Sequence, residues 1–131
     1  RDRSYVATVI DVEVQGKDIK VHDAYVVLDC GTHINPDTCV AQMEGAVVFG
    51  LSLALKSEIT FDKGSAVQGN LDTYELIRMM ESPRVTVDLV QSEALPAGVG
   101  EPGVPPVAPA LTNAIFAASG QRIRKLPVSL A

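Results

Sequence analysis

The stretch from Gly98 to Pro109, Gly-Val-Gly-Glu-Pro-Gly-Val-Pro-Pro-Val-Ala-Pro, constrains the fold of this chain more than any other. Glycine turns where other side chains clash and lets a second group come close. Proline removes a backbone donor and stiffens the residue before it. The first half of the stretch is therefore a tight loop, and an apolar helix pattern follows it. Glu101 is the only acidic or basic residue between Ala94 and Ser119. A lone carboxylate in so stiff a loop looks placed rather than incidental.

The loop also spells G-x-G-x-x-G, the dinucleotide-binding fingerprint. That fingerprint needs a strand before it, a helix after it and an acid about 20 residues further on for the ribose. No Asp or Glu follows Glu101 in this chain. Glu101 itself would repel a pyrophosphate in the turn, and the prolines delay the helix start that should hold it. These counts weigh against the nucleotide reading, which a titration with NAD, followed by stability, tests.

A length of 131 residues suits one domain. At 47% hydrophobic and 21% charged the composition is that of a globular protein. The net charge of −5, with no basic run beyond Arg122-Ile123-Arg124-Lys125, argues against nucleic acid as a partner. No stretch reaches the roughly 18 apolar residues, free of polar breaks, that a membrane span needs. Cys30 and Cys39 form no disulfide framework. With His22 and His33 they match no zinc-ligand spacing, so no metal site is assigned. The chain begins at Arg1 without a Met or a signal peptide and enters a strand pattern at Tyr5. The expectation is one domain, 1–131, forming the C-terminal part of a longer subunit. Targeting signals would then lie upstream, leaving a cytoplasmic and a periplasmic address equally open.

Tyr5 to Val14 is rich in β-branched residues and alternates in its second half, which predicts a half-buried strand. Gln15-Gly16-Lys17-Asp18 is a turn. Ile19 to Cys30 returns as a second strand, continuously apolar from Ala24 to Leu28 and so expected to enter a buried layer. Asn35 reads as an N-cap, Pro36 as the first helical residue and Asp37 as a first-turn acid. The helix runs to about Leu55. Apolar residues nearly encircle it, which predicts burial on most sides. Gly45 and Gly50 each cost about 1 kcal/mol relative to alanine in its interior, so close packing is expected at both. Glu58 to Phe61 reads as a short strand, Val67 to Met80 as irregular, and Arg84 to Val90 as a strand. A second helix spans about Pro106 to Ser119 and stops at Gly120. Ile123 to Val128 is a candidate last strand. The fold class is α+β, antiparallel strands with two main helices.

Among polar residues, Gln42 and Glu44 interrupt the apolar first helix. A buried amide needs partners. Gln42 either bonds a neighbouring backbone or holds a polar ligand, with Gly45 one turn on admitting it. Glu44 suits an ion pair with an arginine. Asp29 and His33 flank a strand-to-helix loop, where turn and capping roles are usual. Glu101 could be a solvated acid capping the following helix, but that would not call for three glycines around it. A general base must sit close to the proton it removes, and small neighbours make room for a substrate or cofactor.

Taken together and in order, Asp29-Cys30-Gly31, Asn35-Pro36, Gln42-Met43-Glu44-Gly45-Ala46 with Gly50-Leu51, and Gly98-Val99-Gly100-Glu101-Pro102 resemble a known pattern. It is that of the C-terminal part of the molybdopterin-binding subunit of the xanthine dehydrogenase/aldehyde oxidase family. The ending from Gly103 to Ala110, with Asn113 to Phe116, is most similar to the isoquinoline 1-oxidoreductase branch. The resemblance covers about Val21 to Val128. It implies hydroxylation of an aldehyde or N-heterocycle carbon with water as the oxygen source. It implies Glu101 as the catalytic general base, and Gln42 and Gly100 as positions that bind the molybdopterin cofactor. It implies the remainder of the subunit and a small iron–sulfur subunit as partners, since the cysteine clusters for such centres are absent here. The chain alone is expected to neither hold the cofactor tightly nor turn over, and to self-associate through exposed apolar surface. The alternative from another class is a non-catalytic interaction or assembly domain that keeps the fold.

Overall fold

The computed structural model describes residues 4–130. Strand β1 (Tyr5–Gln15) and strand β2 (Asp18–Asp29) form a long antiparallel hairpin. Its tight turn rests on Gly16, whose φ of 60° needs no Cβ relief. The pairing runs from Tyr5 opposite Asp29 to Gln15 opposite Asp18, with a register shift between Asp11 and Val12. Helix α1 (Pro36–Leu55) follows. Next come two short paired strands, β3 (Phe61–Asp62) and β4 (Ser65–Ala66), and a 3₁₀ turn at Met79–Glu81. Strand β5 (Arg84–Leu89) then joins the sheet, and helix α2 (Val107–Ser119) closes the fold. The sheet order is β1-β2-β5, with β5 parallel to β2. The class is α+β, and the β2–β5 pairing adds one parallel neighbour to an otherwise antiparallel set.

Both helix boundaries follow from local chemistry. The Asn35 side chain accepts the Thr38 N–H at 3.2 Å, and Pro36 opens α1 where its missing donor is not needed. Gly120, at φ 72°, ends α2 by giving its N–H to the Phe116 carbonyl. By length and composition alone α1 could cross a membrane. Its packing marks it as a core helix. Cys39, Met43, Ala46, Val47, Gly50, Leu51 and Ala54 are buried, at the three- and four-residue spacing of one helix face. Both helices pack on the β-sheet and on each other. The core joins that stripe to Ile10, Ala24, Val26 and Leu28 from the hairpin and to Val107, Leu111 and Ile115 from α2.

Several expectations are corrected. Helix α1 is buried on one side only: Phe49 is 54% exposed, and Gln42, Glu44 and Gly45 also face outward. The apolar run of β2 is likewise buried on one face, with Ala24, Val26 and Leu28 inside and Tyr25 and Val27 outside. Among the described residues, nothing covers the outer side of α1, and helices cover only one face of the sheet. The short strand expected at 58–61 is confined to Phe61–Asp62. No strand forms at 123–128, where the Val128 N–H bonds the Ala54 carbonyl at 2.8 Å in place of a ladder. Pro127 has no N–H to contribute to one.

Candidate functional site

Three glycines decide how closely the site elements approach. A Cβ on Gly50 would lie 2.6 Å from the Val107 Cβ, so α1 meets the first turn of α2 almost backbone to side chain. A Cβ on Gly103 would lie 2.7 Å from the Ala46 Cβ and 2.9 Å from the Met43 Sδ. The end of the glycine loop is thus seated directly on α1. At Gly31, φ is 72° and an added Cβ would run into the Leu95 carbonyl oxygen. That contact brings the end of β2 against the segment that leads into the loop. Thr32 and Ala97 N–H groups bond the Ala94 and Cys30 carbonyls, each at 2.9 Å, and fix the same junction. Gly45 behaves differently from expectation: nothing lies within 4 Å of the Cβ it could carry.

These contacts bring Gln42 and the Glu101 loop together across 58 residues of sequence. The Gln42 Nε2 donates long hydrogen bonds to the carbonyls of Gly100, at 3.4 Å, and Val99, at 3.5 Å. The backbone-bonding role considered for Gln42 is therefore realised, although the side chain is exposed rather than buried. Its Oε1 has no hydrogen-bond partner among the described residues. Glu101 is exposed, and its carboxylate has no hydrogen-bond or ion-pair partner among the described residues. It does not cap α2, whose N-cap is Pro106 with no side-chain cap. Its own carbonyl accepts the Val104 N–H at 3.0 Å, which closes the turn behind it.

Sequence reasoning missed Ser4. Its hydroxyl donates to the Gly98 carbonyl at 2.6 Å, tying the entry to β1 to the start of the glycine loop. The two residues are 94 positions apart, and no local pattern marks such a pair.

The remaining polar residues lie apart from the Gln42–Gly100 contact in their bonding. The Asp29 Oδ1 accepts the Gly31 N–H at 3.1 Å, an Asx-type turn at the strand end. His33 lies 3.5 Å from the Gln91 amide. Glu44 forms no ion pair among the described residues. Cys30 and Cys39 are buried, free thiols in the core. Burial first, and then the neighbouring Cys39, pushes the Cys30 thiol up. His22 pairs with Glu13 at 3.0 Å on the outer hairpin, far in role from any thiol ligand. A cavity of about 650 Å³ lies between the hairpin tip, the end of α1 and Ile77–Ser82. None of Gln42, Gly100 and Glu101 lines it, and the Lys56–Glu81 ion pair belongs to its wall.

The family model of the molybdopterin cofactor-binding domain matches residues 3–83, a segment that holds the hairpin and all of α1 with Gln42. A membrane-bound aldehyde dehydrogenase [pyrroloquinoline-quinone] of Gluconacetobacter polyoxogenes is 41% identical over 103 residues, covering 79% of this chain and 13% of that protein. The beta subunit of isoquinoline 1-oxidoreductase of Brevundimonas diminuta is 34% identical over 127 residues, covering 95% of this chain and 16% of that subunit. The solved quinoline 2-oxidoreductase from Pseudomonas putida 86 superposes with a TM-score of 0.76 at 24% identity, over 84% of this chain and 15% of that one, which establishes the shared fold. The chain thus spans well under a fifth of the length of each. It belongs to the molybdopterin cofactor-binding domain family, in agreement with the resemblance to the xanthine dehydrogenase/aldehyde oxidase group.

Proposed function

We propose that this chain supplies one wall of the molybdenum centre of a hydroxylase, with Glu101 as the general base and Gln42 and Gly100 as cofactor contacts. The observation that supports this best is the seam itself. Helix α1, inside the matched segment, brings the Gln42 amide onto the Gly100 carbonyl, directly before the unpartnered carboxylate of Glu101. The donor set suits a pterin. Gln42 offers an uncommitted carbonyl oxygen, and the open space over Gly45 leaves room beside it. Glu101 faces no competing ion pair.

The reaction adds a water-derived oxygen to an aldehyde or N-heterocycle carbon and releases two protons and two electrons. When bound, molybdopterin supplies the two-electron acceptor for this oxidation. The Glu101 carboxylate takes up the proton lost as the oxygen is delivered. The turn closed by the Val104 N–H fixes the backbone that carries that carboxylate, and Gln42 reaches the preceding loop carbonyls through two long bonds. The remainder of the subunit completes the cofactor and substrate pocket, and an iron–sulfur subunit receives the electrons. The isolated chain retains no stoichiometric molybdenum and does not turn over.

The test is Glu101→Gln in the assembled enzyme, with metal content and turnover measured together. Turnover is expected to collapse while molybdenum stays at the level of the unaltered enzyme. Unchanged turnover would remove Glu101 from the chemistry. The cofactor assay is run for molybdenum and for pyrroloquinoline quinone, because the aldehyde dehydrogenase relative bears the quinone in its name. Stoichiometric molybdenum on the isolated 131 residues would overturn the claim that the chain alone is incomplete.

A further inference from the structure

We propose that Ser4 is a positioning residue for Glu101, an inference that rests on Glu101 being the base. The loop before Glu101 is held from two sides by side chains of two different elements. From α1, Gln42 donates to the carbonyls of Val99 and Gly100. From the entry to β1, the Ser4 hydroxyl donates to the carbonyl of Gly98 at 2.6 Å. After Glu101, its own carbonyl is closed by the Val104 N–H at 3.0 Å, and Gly103 is seated against Met43 and Ala46.

Of these restraints, the Ser4 bond is the shortest, and it ties the loop to the residue that enters β1. The Gln42 bonds are long, at 3.4 and 3.5 Å, and a residue that also meets a ligand cannot be relied on to hold the loop. Two glycines, Gly98 and Gly100, give the segment between Ser4's contact and Glu101 a wide conformational range. Without a fixed Gly98 carbonyl, that range is restored and the carboxylate loses its fixed approach. Ser4 touches neither substrate nor cofactor in this account; it acts through the backbone.

Ser4→Ala and Ser4→Thr separate this role from general stability. Thr retains the hydroxyl and serves as the rescue. In the assembled enzyme, Ser4→Ala is expected to lower kcat on the order of tenfold, as small misplacements of a reacting group do. KM and molybdenum content should stay unchanged, and Ser4→Thr should restore kcat. In the assembled enzyme, Ser4→Ala is also expected to speed amide hydrogen exchange at Ala97 and Val104, whose N–H groups bond the Cys30 and Glu101 carbonyls on either side of the loop, but not in the middle of α1. Exchange that is unchanged in the loop, or accelerated equally throughout, would overturn the proposal. So would full kcat in Ser4→Ala alongside an inactive Glu101→Gln, which would remove Ser4 alone. An active Glu101→Gln would instead remove the base on which the proposal rests.

Discussion

The two faces of α1 each carry a glycine and bulky apolar residues, and they do different things. The inner face carries Met43, Val47, Leu51 and Gly50, all buried, and Gly50 is closed off by Val107. The outer face carries Gln42, Glu44, Gly45 and Phe49, all exposed, and Gly45 has nothing near it. Two glycines five residues apart therefore serve different ends. Gly50 lets a neighbour in the fold come close. Gly45 costs helix stability with no fold contact to show for it, which is how a position reserved for an outside group would look. The fold is decided on the inner face, and the candidate site stands at the rim where that face meets the glycine loop.

The largest effect should come from breaking the inner face. Met43 is fully buried and touches the region where Gly103 is seated, so Met43→Ala should cost about 2–5 kcal/mol in chemical denaturation. Gly50→Ala should come next. Its new methyl meets the rigid Val107 at 2.6 Å, and overpacking of about 1–3 kcal/mol outweighs the gain in helix propensity. Gly45→Ala should reverse the sign, raising the stability of the chain by up to about 1 kcal/mol, because its methyl enters open space. In the assembled enzyme the same substitution should lower molybdenum content. A stabilised chain with normal metal content would erase the proposed distinction between the two glycines.

The smallest effect lies away from α1's packed stripe. Lys56 lies 2.6 Å from Glu81 and holds the Glu81 carboxyl below its ordinary value of 4.5. The stabilisation from this pair is therefore complete above that value and lost as pH falls through the lower folded value. The pair is partly exposed to solvent, so Glu81→Gln should change stability at neutral pH by less than about 1 kcal/mol, with the difference vanishing in acid.

Much of the local structure was legible because short-range chemistry fixes it. Alternation and Gly16 gave the hairpin, and Asn35, Pro36 and Gly120 gave helix ends. The inner side of α1 was not legible, since apolar residues encircle the helix and no periodicity selects a face. The parallel pairing of β2 with β5 joins segments about 60 residues apart and leaves no local signal. At the site, Glu101 stood out through its isolation among glycines, and Gln42 through its place in an apolar helix. That the two meet depends on Gly103 fitting against Met43 and Ala46, a long-range packing condition that sequence spacing does not encode. Ser4 was invisible for the same reason.

The central claim is that Gln42 and Glu101 adjoin in space but divide cofactor contact from proton transfer. Turnover per bound molybdenum, measured for Gln42→Ala and Glu101→Gln in the assembled enzyme, tests it most directly. Glu101→Gln should keep its molybdenum and lose about 10²- to 10⁴-fold in turnover per metal. Gln42→Ala should lose molybdenum while the remaining loaded enzyme turns over within about tenfold of the unaltered rate. Normal turnover per metal in Glu101→Gln, or full molybdenum in Gln42→Ala, would contradict the account.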